Sequence, residues 1–332
     1  MKKVFLIVAA VAAMLATGFT ACKSNSPQPP EPPKEVDIYV VGYDNSGAKY
    51  VAKVWKNGKE LYSLTDGSQD ASASSVFVVG EDIYTAGGES NGTNWVAKVW
   101  KNDGEHYELT NGSQSAIASS VFVVGEDVYT VGNDGKVAKV WKNKNVTELT
   151  NGSEYAGARS VFVAGSSVYT AGWESNGTNN VAKVWKNGSE HLTLTNGSNR
   201  AEASSVFVVG EDVYTAGYQI VDTNIVAKVW KNKEVIFETD GTNTAEARSV
   251  YVVGQDIYVA GFEGYPAKVW KNGKEHYKLT DRGDARSIVV YNGDIYVAGE
   301  DGDAAKVWKN GKELYKRADK GRASSIFVIE RK

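Results

Sequence analysis

One short segment that recurs throughout the chain constrains the fold more than any other feature of the sequence. It reads Ala52-Lys53-Val54-Trp55-Lys56-Asn57-Gly58 in its first copy, and six near-copies follow. The tryptophans of the seven copies are Trp55, Trp100, Trp141, Trp185, Trp230, Trp270 and Trp308. Their separations of 45, 41, 44, 45, 40 and 38 residues are typical of repeat architectures built from several strands or from two helices per unit. The separations alone do not distinguish strands from helices, so the distinction rests on the residue pattern within each repeat.

Within each repeat the local pattern favours strands. Four runs of β-branched and aromatic residues follow one another, and in the copy after Ala73 they cover residues 75–79, 83–86, 97–101 and 107–110. We name these runs a, b, c and d. The linkers Gly80-Glu81-Asp82 and Asn102-Asp103-Gly104 are short enough for tight hairpins between a and b and between c and d. Four-stranded antiparallel sheets at this period are typical of β-propeller blades.

The two ends of the repeat region complement each other. The region begins near Asp37 with a b signal and finishes with an a signal at residues 325–328. The C-terminal a strand and the b, c and d strands of residues 37–65 together complete one blade. We therefore predict an all-β fold within residues 37–332, a single seven-bladed β-propeller whose last blade is shared between the termini and leaves no open edge. An open solenoid would need distinct polar capping repeats, which the sequence lacks.

The repeat resembles the β-propeller superfamily. In its Val-Tyr-Val-Ala-Gly-type and Trp-Lys-Asn-Gly signatures it also resembles Bacteroidetes-type propeller lipoproteins, over residues 37–330. The repeat lacks the Trp-Asp dipeptide of WD40 blades, the recurring paired glycines of kelch repeats and the Asp-box of sialidases. The resemblance therefore implies a fold and carries over none of those activities.

Residues 1–21 have the layout of a secretory signal. A basic start precedes an apolar stretch that runs to about residue 16, and small residues precede Cys22. The apolar stretch is too short for a stable membrane span. Cys22 is the only cysteine and directly follows Phe19-Thr20-Ala21, which resembles the lipobox of bacterial lipoproteins with Phe where Leu is usual. We predict that Cys22 carries lipid, palmitate included. The alternative is an ordinary signal peptide followed by a stray thiol.

Residues 22–36 form a tether between that cysteine and the propeller. The segment is polar and contains Pro27, Pro29, Pro30, Pro32 and Pro33. Proline-rich chains extend as polyproline II at about 3.1 Å per residue, so we expect a semi-rigid stalk of roughly 35 Å. No acidic cluster of the kind that directs some Bacteroidetes-type lipoproteins to the surface follows Cys22. We predict a bacterial envelope protein, lipid-anchored in the outer membrane, and the leaflet it faces stays open.

Composition and missing motifs narrow the function. With 37 Lys and Arg against 40 Asp and Glu, the net charge is −3, so nucleic-acid binding has no basic footprint. The histidines His106, His191 and His276 fall on the outermost strand of alternate blades, where they cannot converge on one metal ion. No nucleophile triad, Cys-His pair or phosphate loop is present. We assign no catalytic residue, metal or cofactor, and we expect a monomer.

Residues that recur in every copy are better explained by packing than by chemistry. We expect the Ala before strand a to allow close approach near the axis, and the Ser positions from Ser75 to Ser325 to pair with backbone groups there. The strand-c tryptophan should lie between neighbouring sheets. The lysine two residues before it, such as Lys53, should reach a carboxylate. A ring of seven lysines that binds an anion is the alternative.

Specific binding must then use the positions where the repeats differ. The b–c segment, counted from the Gly that ends strand b to the Ala that opens strand c, is ten residues long in four blades and six in three. Aromatic residues beside Asn, Asp and Glu in the longer segments suit sugar rings or protein partners. An alternative is that they cover the blade tops while the amides form turns. The candidate ligand-binding aromatics are Tyr43, Tyr50, Trp95, Trp173 and Tyr218.

Arginines replace serine at three positions near the central opening. They are Arg159, Arg248 and Arg286, and Arg322 lies close by in sequence. Together they suit an anionic group. Alternatively, the acidic residues Glu202, Glu246 and Asp284 neutralise them.

The first hypothesis for function is a non-enzymatic binding or scaffolding module for a glycan or protein. The alternatives are a polysaccharide lyase or hydrolase with its site at the central mouth, and a purely structural envelope component. All three are inferences from the fold.

Overall fold

The computed structural model describes residues 35–331, which form 28 β-strands in seven four-stranded antiparallel sheets. Blade 1 comprises β4 (Ala71–Val79), β5 (Asp82–Ser90), β6 (Trp95–Lys101) and β7 (Gly104–Glu108). Blade 2 comprises β8 (Ala116–Val124), β9 (Asp127–Asp134), β10 (Val137–Lys142) and β11 (Asn145–Glu148). Blade 3 comprises β12 (Ala156–Ala164), β13 (Ser167–Ser175), β14 (Asn180–Lys186) and β15 (Ser189–Thr193). Blade 4 comprises β16 (Ala201–Val209), β17 (Asp212–Val221), β18 (Asn224–Lys231) and β19 (Glu234–Glu238). Blade 5 comprises β20 (Ala245–Val253), β21 (Asp256–Glu263), β22 (Ala267–Lys271) and β23 (Lys274–Lys278). Blade 6 comprises β24 (Gly283–Tyr291), β25 (Asp294–Asp301), β26 (Ala304–Lys309) and β27 (Lys312–Ala318). Blade 7 comprises β28 (Gly321–Glu330), β1 (Val36–Asp44), β2 (Val51–Lys56) and β3 (Lys59–Ser63). The predicted seven-bladed propeller is confirmed.

Blade 7 closes the ring by pairing the two ends of the described chain. Strand β28 runs antiparallel to β1, from Val36 opposite Glu330 to Asp44 opposite Gly321. Beyond the strand, the Arg331 amide donates a hydrogen bond to the Glu35 carbonyl at 2.8 Å. The predicted shared blade is therefore confirmed.

The innermost strand of every blade carries a β-bulge at the same place. In blade 2, Ala118 pairs with Gly132 and Ser120 with Val131, so Ser119 is skipped. A Cβ at Gly132 would lie 1.8 Å from the Ile117 carbonyl oxygen, so only glycine fits opposite the bulge. A bulge re-aims the side chain of the extra residue. The seven bulge residues are Ser74, Ser119, Arg159, Ser204, Arg248, Arg286 and Ser324.

The serine after each bulge ties its blade to the next one. The Ser75 hydroxyl accepts a hydrogen bond from the Val121 amide at 3.2 Å, and the same contact recurs at all seven interfaces with distances of 3.2–3.3 Å. The last of these bonds runs from the Val76 amide to Ser325 and so closes the circle. The prediction that these serines pair with backbone groups is confirmed.

The repeated tryptophans lie between blades. Each is only 1–3% exposed. Trp230 of blade 4, for example, packs in one apolar cluster with Leu192 and Leu194 of blade 3 and with Val206 of its own blade. Apolar clusters of this kind fill the interfaces around the ring. The predicted position of the tryptophans is confirmed.

The remaining residues of the repeated segment also have structural partners. Each strand-c lysine forms an ion pair, as Lys53 does with Glu60, at 2.5–3.1 Å. The lysine after each tryptophan lies 5.0–5.7 Å above a tyrosine ring of strand b. Each turn asparagine, such as Asn57 at φ 47°, accepts a strand-b amide hydrogen with its side chain. The repeated segment therefore has a structural role, as predicted.

Candidate binding face

The candidate residues all lie at one end of the propeller. Antiparallel blades place the b–c and d–a connections on one face and the a–b and c–d hairpins on the other. We call these the loop face and the turn face. The predicted aromatics stand at the b–c ends of their blades, and the predicted arginines follow the d–a connections. The loop face therefore carries every candidate that falls within residues 35–331, whereas Cys22 lies outside the described residues.

The predicted aromatics do not form one platform. Tyr43 and Tyr50 stack at a centroid distance of 4.9 Å, and Tyr50 is 39% exposed. Trp95 and Trp173 are half-buried, and the indole N–H of Trp173 is buried without a hydrogen-bond partner. Tyr218 is only 7% exposed, and burial next to Glu202 raises the pKa of its hydroxyl. Tyr218 therefore belongs to the wall of the blade and offers no open ring surface.

The amides of the longer b–c loops shape turns. The Asn91 side-chain oxygen accepts the amide hydrogens of Thr93 and Asn94, while the Asn94 side chain donates to the Gly112 carbonyl. Blade 3 repeats this arrangement with Asn176 and Asn179. These asparagines hold the loops in place, which is the alternative that the sequence left open for them.

The predicted arginines alternate with carboxylates along one side of the mouth. The larger group, which we call the charged arc, comprises Glu246, Arg248, Asp284, Arg286, Glu300 and Arg322. Arg248 pairs with Glu246 at 2.5 Å and with Asp284 of the next blade at 3.1 Å. Arg286 continues the arc to Asp284 at 3.0 Å and to Glu300 at 2.9 Å. Arg322 of blade 7 ends it on Glu300 at 3.1 Å. In blade 4, Glu202 similarly receives Arg159 at 3.4 Å and Arg200 at 2.7 Å.

These ion pairs set the protonation of the acidic groups. Burial opposes ionisation of Glu300, but hydrogen bonds and charge from Arg286 and Arg322 lower its pKa overall. Glu202 behaves in the same way because Arg200 and Arg159 offset its burial. Burial raises the pKa of Glu246, since Arg248 offsets only part of it. The arginines are thus largely neutralised by carboxylates, the second of the two alternatives drawn from the sequence.

The opposite side of the mouth is uncharged. In blades 1 and 2 the positions that hold the charged arc elsewhere are occupied by Ser72, Ser74, Ile117 and Ser119. Three residues farther along the innermost strand in every blade except blade 6, about 10 Å deeper, aromatic rings meet blade to blade. They are Phe327, Phe77, Phe122, Phe162, Phe207 and Tyr251, with centroid distances of 4.6–5.3 Å. The mouth therefore has one charged wall, one neutral wall and an aromatic collar below.

A pocket of about 460 Å³ opens on the loop face between blades 5 and 6. Both blades have the six-residue b–c segment, so the surface is lower here than over blades 3, 4, 7 and 1. Its lining comprises Arg248, Phe262, Gly264, Tyr265, Arg282, Gly283, Asp284, Glu300, Gly302 and Asp303. The residues predicted from the sequence lie mostly on the longer loops and do not include Tyr265, Arg282, Asp303 or Glu300. The sequence feature that could have revealed the pocket is that two adjacent blades, 5 and 6, both have the six-residue b–c segment.

Within residues 35–331, His, Cys, Asp and Glu form no group of three or more that is suited to hold a metal ion. The three histidines lie on the outer strands β7, β15 and β23 of separate blades. The same part of the chain contains no helix that is long and apolar enough to cross a membrane.

Comparison with known proteins assigns no family to this chain. No family model and no curated protein matches the sequence. Among solved structures, the Dos1 propeller is 12% identical, with 85% of this chain and 82% of that chain covered and a TM-score of 0.49. The computationally designed Ika8 protein is 17% identical, with 80% and 82% covered and a TM-score of 0.47. BamB from Moraxella catarrhalis is 12% identical, with 81% and 80% covered and a TM-score of 0.39. At such low identity these similarities transfer no activity.

Proposed function

We propose that this protein is a non-enzymatic binding or scaffolding module of the bacterial cell envelope, lipid-anchored through Cys22, that holds a glycan or a protein on its loop face. The resemblance of its N-terminus to a lipoprotein signal supports the anchor. The repeated lysine, serine and asparagine side chains form ion pairs or hydrogen bonds within the propeller. They therefore have structural roles, which argues against an active site that is repeated in every blade.

The observation that carries the proposal is that the loop face differs from blade to blade. The charged arc, the pocket between blades 5 and 6 and the exposed rings of Tyr50 and Tyr265 all lie there. The turn face repeats similar hairpins from blade to blade. Recognition of one specific ligand needs a surface without sevenfold repetition, and only the loop face has one.

A panel of purified glycans and envelope proteins tests the loop face. The variant Tyr50→Ala/Trp95→Ala/Tyr265→Ala removes aromatic rings over three blades and should weaken binding of the retained ligand by roughly tenfold or more. The matched control is Val79→Ser/Val124→Ser/Val253→Ser, which changes three exposed side chains on the turn face and should bind as the wild type does. Loss of binding in the control alone, or equal binding by all three proteins, would overturn the proposal.

The anchor has its own test. In cells, Cys22→Ser should move the protein from the membrane fraction to the soluble fraction, because the chain then has no thiol for lipid attachment. Fractionation followed by immunoblotting measures this shift, and thermal unfolding of the propeller should be unchanged. Retention of the variant on membranes would show that the anchor lies elsewhere.

A catalytic role at the mouth is the second candidate function, and Glu246 is the observation that favours it. This carboxyl lies beside Arg248 at the mouth, and burial raises its pKa, as in general acids of polysaccharide-cleaving enzymes. Wild-type protein that releases new sugar ends from polysaccharides, with loss of that release in Glu246→Gln, would establish an enzyme in place of a binding module.

A further inference from the structure

We propose that the pocket between blades 5 and 6 binds a neutral or amino-bearing sugar ring. This inference rests on the proposed binding function and specifies its site and ligand class. Its volume of about 460 Å³ falls within the range of roughly 300–1,000 Å³ that is typical of small-molecule sites.

The hydrogen-bonding groups of the lining divide into those already paired and those that are free. Glu300 accepts from Arg286 and Arg322, and Arg248 donates to Asp284. In contrast, the Arg282 and Asp303 side chains form no hydrogen bond or ion pair with any other residue in the range 35–331. One cationic side chain, Arg282, and one anionic side chain, Asp303, therefore remain available at the rim.

Asp284 gives the deeper part of the pocket a negative charge that is already paired. Its Oδ2 atom receives Arg248 and pairs with Arg286, and the residue is 7% exposed. Its Oδ1 atom is buried and has no hydrogen-bond partner among the described residues. Because Oδ1 has almost no accessible surface, a ligand in the pocket does not reach it. The side chains that remain free to bond a ligand are therefore Arg282 and Asp303.

The aromatic lining complements these polar groups. Tyr265 is 76% exposed, and no other aromatic ring or cation among the described residues covers it. Phe262 lies deeper, with the Arg248 guanidinium 5.5 Å from its ring centroid. A sugar ring has an apolar face that packs on aromatic surfaces and hydroxyls that both donate and accept. The combination of an open ring, the free acceptor Asp303 and the free donor Arg282 matches that chemistry.

The charge of the lining selects among sugars. Arg248, Arg286 and Arg322 neutralise Asp284 and Glu300, so the unpaired charges of the lining are those of Asp303 and Arg282. Because these two charges are opposite, they give the rim no net charge that attracts a uronate or a phosphate. A sugar hydroxyl accepts from Arg282 or donates to Asp303 without bringing a charge of its own. The pocket therefore suits a neutral sugar, and an ammonium group in place of one hydroxyl would pair with Asp303.

Binding of oligosaccharides to the full-length protein tests the inference. The probes are neutral gluco-, manno- and galacto-oligosaccharides, glucosamine and N-acetylglucosamine oligomers, and uronate oligomers. We expect a neutral or amino sugar to bind, and Tyr265→Ala and Asp303→Ala to weaken it by roughly tenfold or more. Tyr155→Ala is the matched control because Tyr155 is also exposed on the loop face but is already covered by Lys136, 4.7 Å from its centroid. The control should bind as the wild type does.

The other outcomes separate this inference from the proposed function. Preference for uronate oligomers, or loss of sugar binding in Tyr50→Ala but not in Tyr265→Ala, would overturn the pocket and leave a loop-face binding module. Binding of a protein ligand on the loop face, with no sugar bound, would do the same. Failure of the triple loop-face variant to alter the binding of any ligand would overturn both.

Discussion

A chain that lacks residues 323–332 should lose more than about 10 °C of melting temperature or fail to fold. The deletion removes the innermost strand of blade 7, which buries Ala323, Ile326 and Val328. Burial of an Ile or Val side chain contributes about 1.5–3 kcal/mol, and the paired edge of β1 is lost as well. In a domain of about 300 residues each kcal/mol corresponds to roughly 1.5–2 °C. Circular dichroism during heating measures the change.

A circular permutant is the control for that deletion. Joining residue 331 to residue 35 by a short linker and opening the chain between β7 and β8 keeps all 28 strands. The linker has little distance to span, because the Arg331 amide and the Glu35 carbonyl are hydrogen-bonded. The permutant should melt close to the wild type. A truncated chain that melts at the wild-type temperature would show that β28 does not hold the ring closed.

Replacement of Trp230 by alanine should destabilise the protein by about 3–5 kcal/mol, or roughly 5–10 °C. The indole is 1% exposed and contacts apolar residues of blades 3 and 4. Its removal leaves a cavity at an interface that is already fixed by the Ser160 hydrogen bond to the Val206 amide. Neighbouring side chains therefore have little freedom to collapse into the space. Urea unfolding at constant temperature gives the free energy directly.

Trp95→Ala is the matched control, since this tryptophan lies outside the repeated segment and is half-buried on the loop face. We expect it to cost less than half as much stability as Trp230→Ala. Similar losses in both variants would contradict the conclusion that the repeated tryptophans hold the blades together.

The fold was predictable from the sequence because the same local signals occur seven times. Trp55 alone is compatible with many structures, but its six counterparts fix the period. The bulges were not predictable, because the residue that a strand skips depends on pairing across the sheet. The sequence marked Arg159 as a departure from serine, but it did not show that the strand pairing skips Arg159 and Ser74.

The candidate site was predictable only in part. The arginines at the mouth were recognisable because they replace serine. The acidic residues that neutralise Arg159, Arg248 and Arg286 were recognisable because they lie near them in the repeat. Glu300 was missed because its partner Arg322, 22 residues farther along the chain, reaches it only where blade 7 packs against blade 6. Tyr218 was expected on an open surface, but the side chains of Glu202 and Arg200 enclose it. The pocket between blades 5 and 6 was missed because it lies where the loops are short.

The bulge residues separate recognition from stability. Each one is skipped by the strand pairing, while the serine after it carries the contact to the next blade. A change from serine to arginine at such a position thus alters the mouth and leaves the circle of hydrogen bonds in place. Mutation can accordingly tune the specificity of this propeller one blade at a time, on a frame that tolerates each exchange.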